Sequence, residues 1–142
     1  MPRAKRIAEK QCAHNFPKLE EYVGVLQAHL NLAQWKVSVV QEASDVEAWA
    51  DIAPHSQADT ADLRISHDFW GLSQERQRTV LVHELIHLVV SRADQVVENL
   101  EEPLGKLAWS VLSSQYEDAT ERAVEHMAVI VAAFVPLPEF SS

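Results

Sequence analysis

One segment, residues 79–90, constrains the fold of this chain more than any other. It is a run of apolar residues interrupted by two histidines four positions apart, His83 and His87, with Glu84 between them. On an α-helix, residues i and i+4 lie on the same face, so both imidazoles can reach one metal ion. Glu84 is then placed to act on a water molecule at that metal. The segment therefore predicts a helix that carries a metal site.

The flanking residues predict that this helix is central and buried. Ser73 is a favourable N-cap, and Glu75 complements the helix dipole in the first turn. Neither Gly nor Pro occurs between Ser73 and Leu88. Because nearly every side of the helix is apolar from Val80 to Val90, we expect it in the core of a globular fold.

The remaining patterns predict an α+β fold, with a small sheet of about three strands between an N-terminal and a C-terminal helix. Alternating apolar and polar residues predict the strands at about 35–41, 49–53 and 61–66. Apolar residues at helical spacing predict a first helix over about 17–31, with Pro17 in its first turn.

The second half of the chain predicts further helices. Residues 93–100 fit a short helix that breaks near Pro103 and Gly105, and a long final helix is expected over about 111–134. We expect this final helix to pack against the helix that carries His83 and His87.

A hydrolytic zinc site needs a third protein ligand besides the two histidines, and His₂Glu is a standard set. The final helix carries Glu117, Glu121 and Glu125 at successive i, i+4 positions. We predict Glu121 as the ligand, with Glu117 as the alternative. Glu125, one turn further on, is predicted to accept a hydrogen bond from a ligand histidine. A solvated helix face would also explain the three carboxylates.

The predicted chemistry follows from these groups. Zinc lowers the pKa of a bound water toward about 7, and Glu84 is predicted to act as the general base. A donor for the developing oxyanion should also be present. Tyr116, His126 and His67 are candidates that the sequence does not separate. All four tryptophans, Trp109 among them, are expected to contribute to packing rather than to a substrate platform.

Composition limits the classes of protein that this chain can represent. Its 142 residues, 47% of them hydrophobic, predict one domain over residues 1–142, with a flexible start at 1–16. A net charge of −9 argues against general binding to nucleic acid or anionic membranes, and no segment has the length of a membrane span. The single cysteine, Cys12, suggests a reducing cytoplasm and rules out a cysteine-rich zinc site.

Two motifs resemble a known family of enzymes. Residues 81–88 are similar to the active-site helix of gluzincin-type zinc metallopeptidases. Residues 121–128, followed by Pro136, resemble the glutamate-bearing helix of ImmA/IrrE-like and small phage or prophage metallopeptidases. The resemblance implies that Glu121 is the third zinc ligand. It also implies that the strand at about 61–66 forms a sheet edge along which an extended peptide is bound.

Three functions agree with these observations. The first is a zinc endopeptidase that acts on an intracellular protein such as a repressor or a phage structural precursor. The second is a binding or assembly module in which the metal only stabilises the fold, a role that a fourth protein ligand such as His126 would favour. The third is hydrolysis of a non-peptide amide. The sequence predicts neither the substrate, nor the oligomeric state, nor whether the enzyme is latent.

Overall fold

The computed structural model describes residues 2–43 and 48–140, with side chains described over 15–40 and 48–140. The elements, in chain order, are α1 (Pro2–His29), β1 (Lys36–Ala43), β2 (Ala50–His55), β3 (Thr60–Ile65), a 3₁₀ turn (His67–Gly71), α2 (Gln74–Glu98) and α3 (Glu101–Ala132). The predicted α+β fold is therefore confirmed. No helix among the described residues is long and apolar enough to cross a bilayer.

Helix α1 begins at Pro2, much earlier than the sequence predicts. Pro17 therefore lies inside the helix and not in its first turn. A proline has no N–H and usually ends or begins a helix, which is why residue patterns place the boundary there. The apolar positions Leu19, Val23 and Leu26 are buried as predicted. The flexibility expected for residues 1–16 stays a prediction, since the helical backbone over residues 2–16 does not measure motion.

The sheet has the strand order β1-β3-β2. Strand β3 pairs in parallel with β1 and antiparallel with β2, so it occupies the centre. Its residues Ala61, Leu63 and Ile65 are buried. The prediction that this strand forms an open sheet edge is wrong: β1 and β2 are the two edge strands, and α2 packs against β2. Alternation along a strand predicts which face is buried, but it carries no information about strand order.

Helix α2 begins as the sequence predicts, since the Ser73 hydroxyl caps it by accepting a hydrogen bond from the N–H of Arg76 at 3.2 Å. It then continues without a break through the segment predicted as a separate short helix. The break predicted near Pro103 and Gly105 is confirmed at Gly105, which lies inside α3 and has φ 76°. Glycine adopts this left-handed conformation without the steric penalty of a side chain.

Helices α2 and α3 form an antiparallel pair, because the chain reverses over residues 99–105, where Gly105 interrupts the helical backbone. Val124, Ala128 and Ala132 form the buried face of α3 against the core. Beyond α3, the chain folds back over α1 and α2. The Tyr22 hydroxyl donates to the Pro136 carbonyl at 2.7 Å, and Arg78 donates to the Val135 carbonyl at 3.1 Å. The end of α3 is therefore fixed relative to both other helices.

We predict that Leu81→Ala destabilises the metal-free protein by about 2–5 kcal/mol, since Leu81 is fully buried and its removal leaves a cavity. Urea unfolding followed by circular dichroism measures the change. Leu107→Ala is the matched control, because Leu107 is 81% exposed and the same truncation should change the free energy of unfolding by less than about 0.5 kcal/mol. Equal effects of the two substitutions would contradict this description of the core.

Candidate metal centre

His83 and His87 lie on one face of α2, the face that is directed toward α3. Their Nε2 atoms are 3.3 Å apart. Both side chains are half-buried, while their apolar neighbours Leu85 and Ile86 are buried in the core. The i, i+4 spacing thus presents two imidazole nitrogens toward the same space, as the sequence predicts.

Helix α3 adds a carboxylate to the two imidazoles. Glu121 Oε1 lies 2.7 Å from His83 Nε2, and Glu121 Oε2 lies 3.3 Å from His87 Nε2. Within the described parts of the chain, these three side chains form a group able to hold a metal ion. Glu117, the alternative ligand, lies one turn earlier on α3 and is not a member of that group. The structure therefore brings together the three residues predicted as ligands.

The separations among the three donor atoms fit a zinc ion. Two ligands of tetrahedral zinc, each bound at about 2.05 Å, lie about 3.3 Å apart. The two imidazole Nε2 atoms have this separation, and the two carboxylate oxygens of Glu121 lie 2.7 Å from His83 Nε2 and 3.3 Å from His87 Nε2. With one ligand atom taken from each residue, all three lie within 4.8 Å of one another, close enough to share one ion. Two imidazoles and one carboxylate are also a donor set that zinc prefers. The residues present therefore fit this metal.

Glu125 contacts the other nitrogen of His83. The Nδ1–H group of His83 donates to Glu125 Oε2 at 2.7 Å. This hydrogen bond keeps the proton on Nδ1, so that the lone pair of Nε2 is available to a metal. Glu125 therefore makes the contact predicted for it. The two carboxylates of α3 lie on opposite sides of one imidazole ring.

Glu84 lies beside the edge strand β2, in the cavity that Ile52, Asp51 and Glu121 also line. The backbone N–H of Ile52 donates to its carboxylate. Burial, the Glu121 carboxylate and the Asp51 carboxylate together raise the pKa of Glu84 to about 8, with burial the largest cause. A bound dication close by would act in the opposite direction and favour the ionised carboxylate. Burial also lowers the pKa of His87, which keeps its imidazole neutral, as metal binding requires.

The three candidate oxyanion donors differ in position. Tyr116 lines the cavity beside His87 and Glu121, and its hydroxyl donates to Asp94 Oδ1 at 2.7 Å. That carboxylate and burial raise the pKa of Tyr116, with burial the larger cause. His126 and His67 are exposed and line neither of the cavities beside the site. Tyr116 is therefore the candidate that lies nearest to the metal centre.

The centre opens into a cleft with two lobes. The larger lobe, about 660 Å³, lies between α2 and α3, and the smaller, about 470 Å³, lies between α2 and β2. His87 and Glu121 line both lobes, as do Asp94 and Glu98. The smaller lobe also contains Glu84. The metal centre therefore lies where the two lobes meet.

Sequence reasoning missed several residues of this cleft. Asp94 follows His87 by seven residues, two helical turns, so helical periodicity could have placed it on the same face of α2. Trp109, expected to serve only in packing, lines the larger lobe. No sequence signal identifies Trp109, because its position depends on how α3 is tilted against α2.

Comparison of the chain with protein-family models, with curated proteins and with solved structures finds no match. The resemblance to gluzincin-type peptidases therefore stays a prediction from the two sequence motifs.

We predict that Glu121→Gln reduces zinc affinity at least tenfold, because the amide is neutral and a weaker donor than the carboxylate. Metal content after dialysis against a competing chelator, measured by mass spectrometry, tests this. Glu117→Gln is the matched control, since it makes the same change one turn away on α3 and should leave affinity unchanged. A larger loss in Glu117→Gln than in Glu121→Gln would show that the wrong carboxylate is assigned.

We further predict that Glu125→Ala lowers zinc affinity by about 10- to 100-fold without removing a ligand, because His83 loses the acceptor that fixes its tautomer. Cobalt substitution provides the measurement: the absorption spectrum should keep the form typical of four-coordinate cobalt while the dissociation constant rises. A spectrum that changes its coordination class would instead place Glu125 among the ligands.

Proposed function

We propose that the protein is a zinc-dependent metallopeptidase that hydrolyses peptide bonds of an intracellular protein. The observation that carries the proposal is the placement of Glu84. It lines the same cavity as His87 and Glu121, two of the three residues able to hold a metal ion, and that open cavity lies next to a sheet edge. A metal site that served only stability would need neither this carboxylate nor the cleft.

His83, His87 and Glu121 would hold the metal, and zinc bound there supplies a Lewis acid that lowers the pKa of a coordinated water toward about 7. The protein's own contribution is proton transfer. Glu84 accepts a proton from the attacking water and delivers it to the leaving amine. The Ile52 N–H fixes one side of its carboxylate, so that Glu84 has a defined orientation in the cleft.

The edge strand β2 supplies a surface for an extended peptide. Since the Ile52 N–H turns away from β3 toward Glu84, the period-two geometry of a strand turns the backbone groups of Ala50 and Pro54 in the same direction. All three residues line the smaller lobe. A peptide could add to the sheet there in strand-addition mode, but it would not use the Ile52 N–H, because that group donates to Glu84. Pro54 has no N–H, so the ladder of hydrogen bonds would end at that residue.

The alternative of a binding module with a purely structural metal has less support. It requires a closed coordination shell, and His126 was the residue predicted to close it. His126 is exposed and is not part of the ligand group. Glu121 is itself 58% exposed, which keeps the centre open to the cleft.

We predict that Glu84→Gln retains zinc but loses at least about 100-fold in kcat, because the amide cannot accept the proton. His83→Ala should lose both zinc and activity. Zinc content and cleavage of a peptide library, analysed by mass spectrometry, give the two readouts. Glu84→Gln should also fold at least as stably as the parent without metal, because it replaces a buried carboxyl group.

Two results would contradict the proposal. Undiminished hydrolysis by Glu84→Gln would remove Glu84 as the general base. A parent protein that binds no zinc after exposure to it would remove the metal mechanism itself.

A further inference from the structure

The charged side chains that line the larger lobe of the cleft are acidic. Five of the eleven residues that line it are acidic, and none is Lys or Arg, although the chain contains 12 such cations. Glu121 belongs to the metal centre, and Asp94 accepts the hydrogen bond from Tyr116. Glu98, Glu101 and Glu117 remain, and among the described residues none of them makes an ion pair. The carboxylates of Glu98, Glu101 and Glu117 therefore give the larger lobe negative charge that no ion pair among the described residues neutralises.

The helices α2 and α3 carry five basic residues, and none of them lines either lobe: Arg76, Arg78, Arg92, Lys106 and Arg122. Arg92 lies near Asp59 at 3.5 Å, Arg122 pairs with Asp118 within α3, and Arg76 stacks on Trp49 at 4.7 Å from the ring centroid. A cation that enters the cleft from outside would thus meet the carboxylates without competition from these neighbours.

The same lobe has an apolar part. Val97, Trp109 and Tyr116 line it together with the carboxylates. Trp109 is half-buried, so one part of the indole remains accessible from the cavity. A long side chain with a charged head matches this combination, since its methylene stem can lie on the rings while the head reaches the acidic wall. A cation over an indole face gains further attraction.

We propose that the larger lobe binds the side chain of a Lys or Arg residue close to the scissile bond, so that the protein selects basic peptide segments. This inference rests on the proposed function, because it assigns a specificity to the same centre. Glu98 from α2 and Glu117 from α3 are the specificity residues, and Trp109 holds the aliphatic stem. Neither carboxylate is placed in the metal or proton-transfer machinery, so substrate preference can change while hydrolysis of neutral peptides continues.

The first experiment measures cleavage by the full chain loaded with zinc. A peptide library identifies a cleaved scaffold, and matched peptides then carry Lys, norleucine or Glu at each position flanking the cut. At one or more flanking positions, the kcat/KM of the parent should be highest for the Lys peptide, lower for the norleucine peptide and lowest for the Glu peptide. The double variant Glu98→Gln/Glu117→Gln should reduce the ratio of kcat/KM for Lys to kcat/KM for norleucine about three- to tenfold. High salt should reduce the same ratio in the parent, because it screens the carboxylates.

The control is the double variant Glu75→Gln/Glu102→Gln, which removes the same charge from α2 and α3 outside the cavity. It should keep the ratio of the parent. Equal ratios for parent, test variant and control, with hydrolysis intact, would overturn the specificity while leaving the peptidase proposal in place. Trp109→Ala should lower kcat/KM for both Lys and norleucine peptides, because both use the stem contact. The loss should be at least as large for Lys, which also loses the cation–π contact.

The second experiment does not depend on hydrolysis. Zinc-loaded Glu84→Gln is immobilised, the same library is passed over it, and retained peptides are identified by mass spectrometry. Retained peptides should be enriched in Lys and Arg relative to the input, and Glu98→Gln/Glu117→Gln should abolish the enrichment. An unenriched set overturns the specificity even if the parent cleaves nothing. Enrichment without any cleavage by the parent overturns the peptidase proposal alone.

Discussion

The contact between α2 and α3 is the interaction on which the rest of the site depends. Glu121 is 34 residues from His87 along the chain (121 − 87), yet its carboxylate lies 2.7 and 3.3 Å from the two histidine Nε2 atoms. The chain reverses direction over residues 99–105, and the buried residues Val124 and Ala128 set the position of α3 along α2. Since Glu121, Val124 and Ala128 occupy successive turns of one helix side, packing in the core also positions the ligand.

The burial of polar groups in α2 is compensated by neighbours from two directions. His83 and His87 face the carboxylates of Glu121 and Glu125, so their nitrogens have partners even though the surrounding helix is apolar. Glu84 faces the sheet and receives one hydrogen bond, from Ile52, but remains close to other carboxylates, which together with burial raises its pKa. The carboxylates of Glu121 and Glu84 repel each other when both are ionised. A dication held by His83, His87 and Glu121 would attract both carboxylates and so offset this repulsion.

The cleft has its shape because the helix pair extends beyond the sheet. The last turns of α2 and the first half of α3 are largely exposed, while the second half of α3 is anchored to the core by Val124, Ala128 and Ala132. The two lobes thus have different walls. One is the edge strand β2, which offers backbone groups, and the other is the projecting helix pair, which offers side chains. The β2 wall is the one proposed to bind the peptide backbone, and the helix-pair wall is the one proposed to bind a basic side chain.

The sequence by itself determined the local features of the protein. Helical periodicity places His83 and His87 on one face, Ser73 caps α2, and alternation identifies the buried residues of β3, since all of these depend on neighbours within a few positions. Tertiary structure alone decided the strand order, the continuity of α2 beyond Arg92, the choice of Glu121 over Glu117 and the presence of Trp109 in the cleft. Each of these depends on how separate elements pack against one another, and a carboxylate stripe with a repeat of four looks the same in sequence whichever turn meets the histidines.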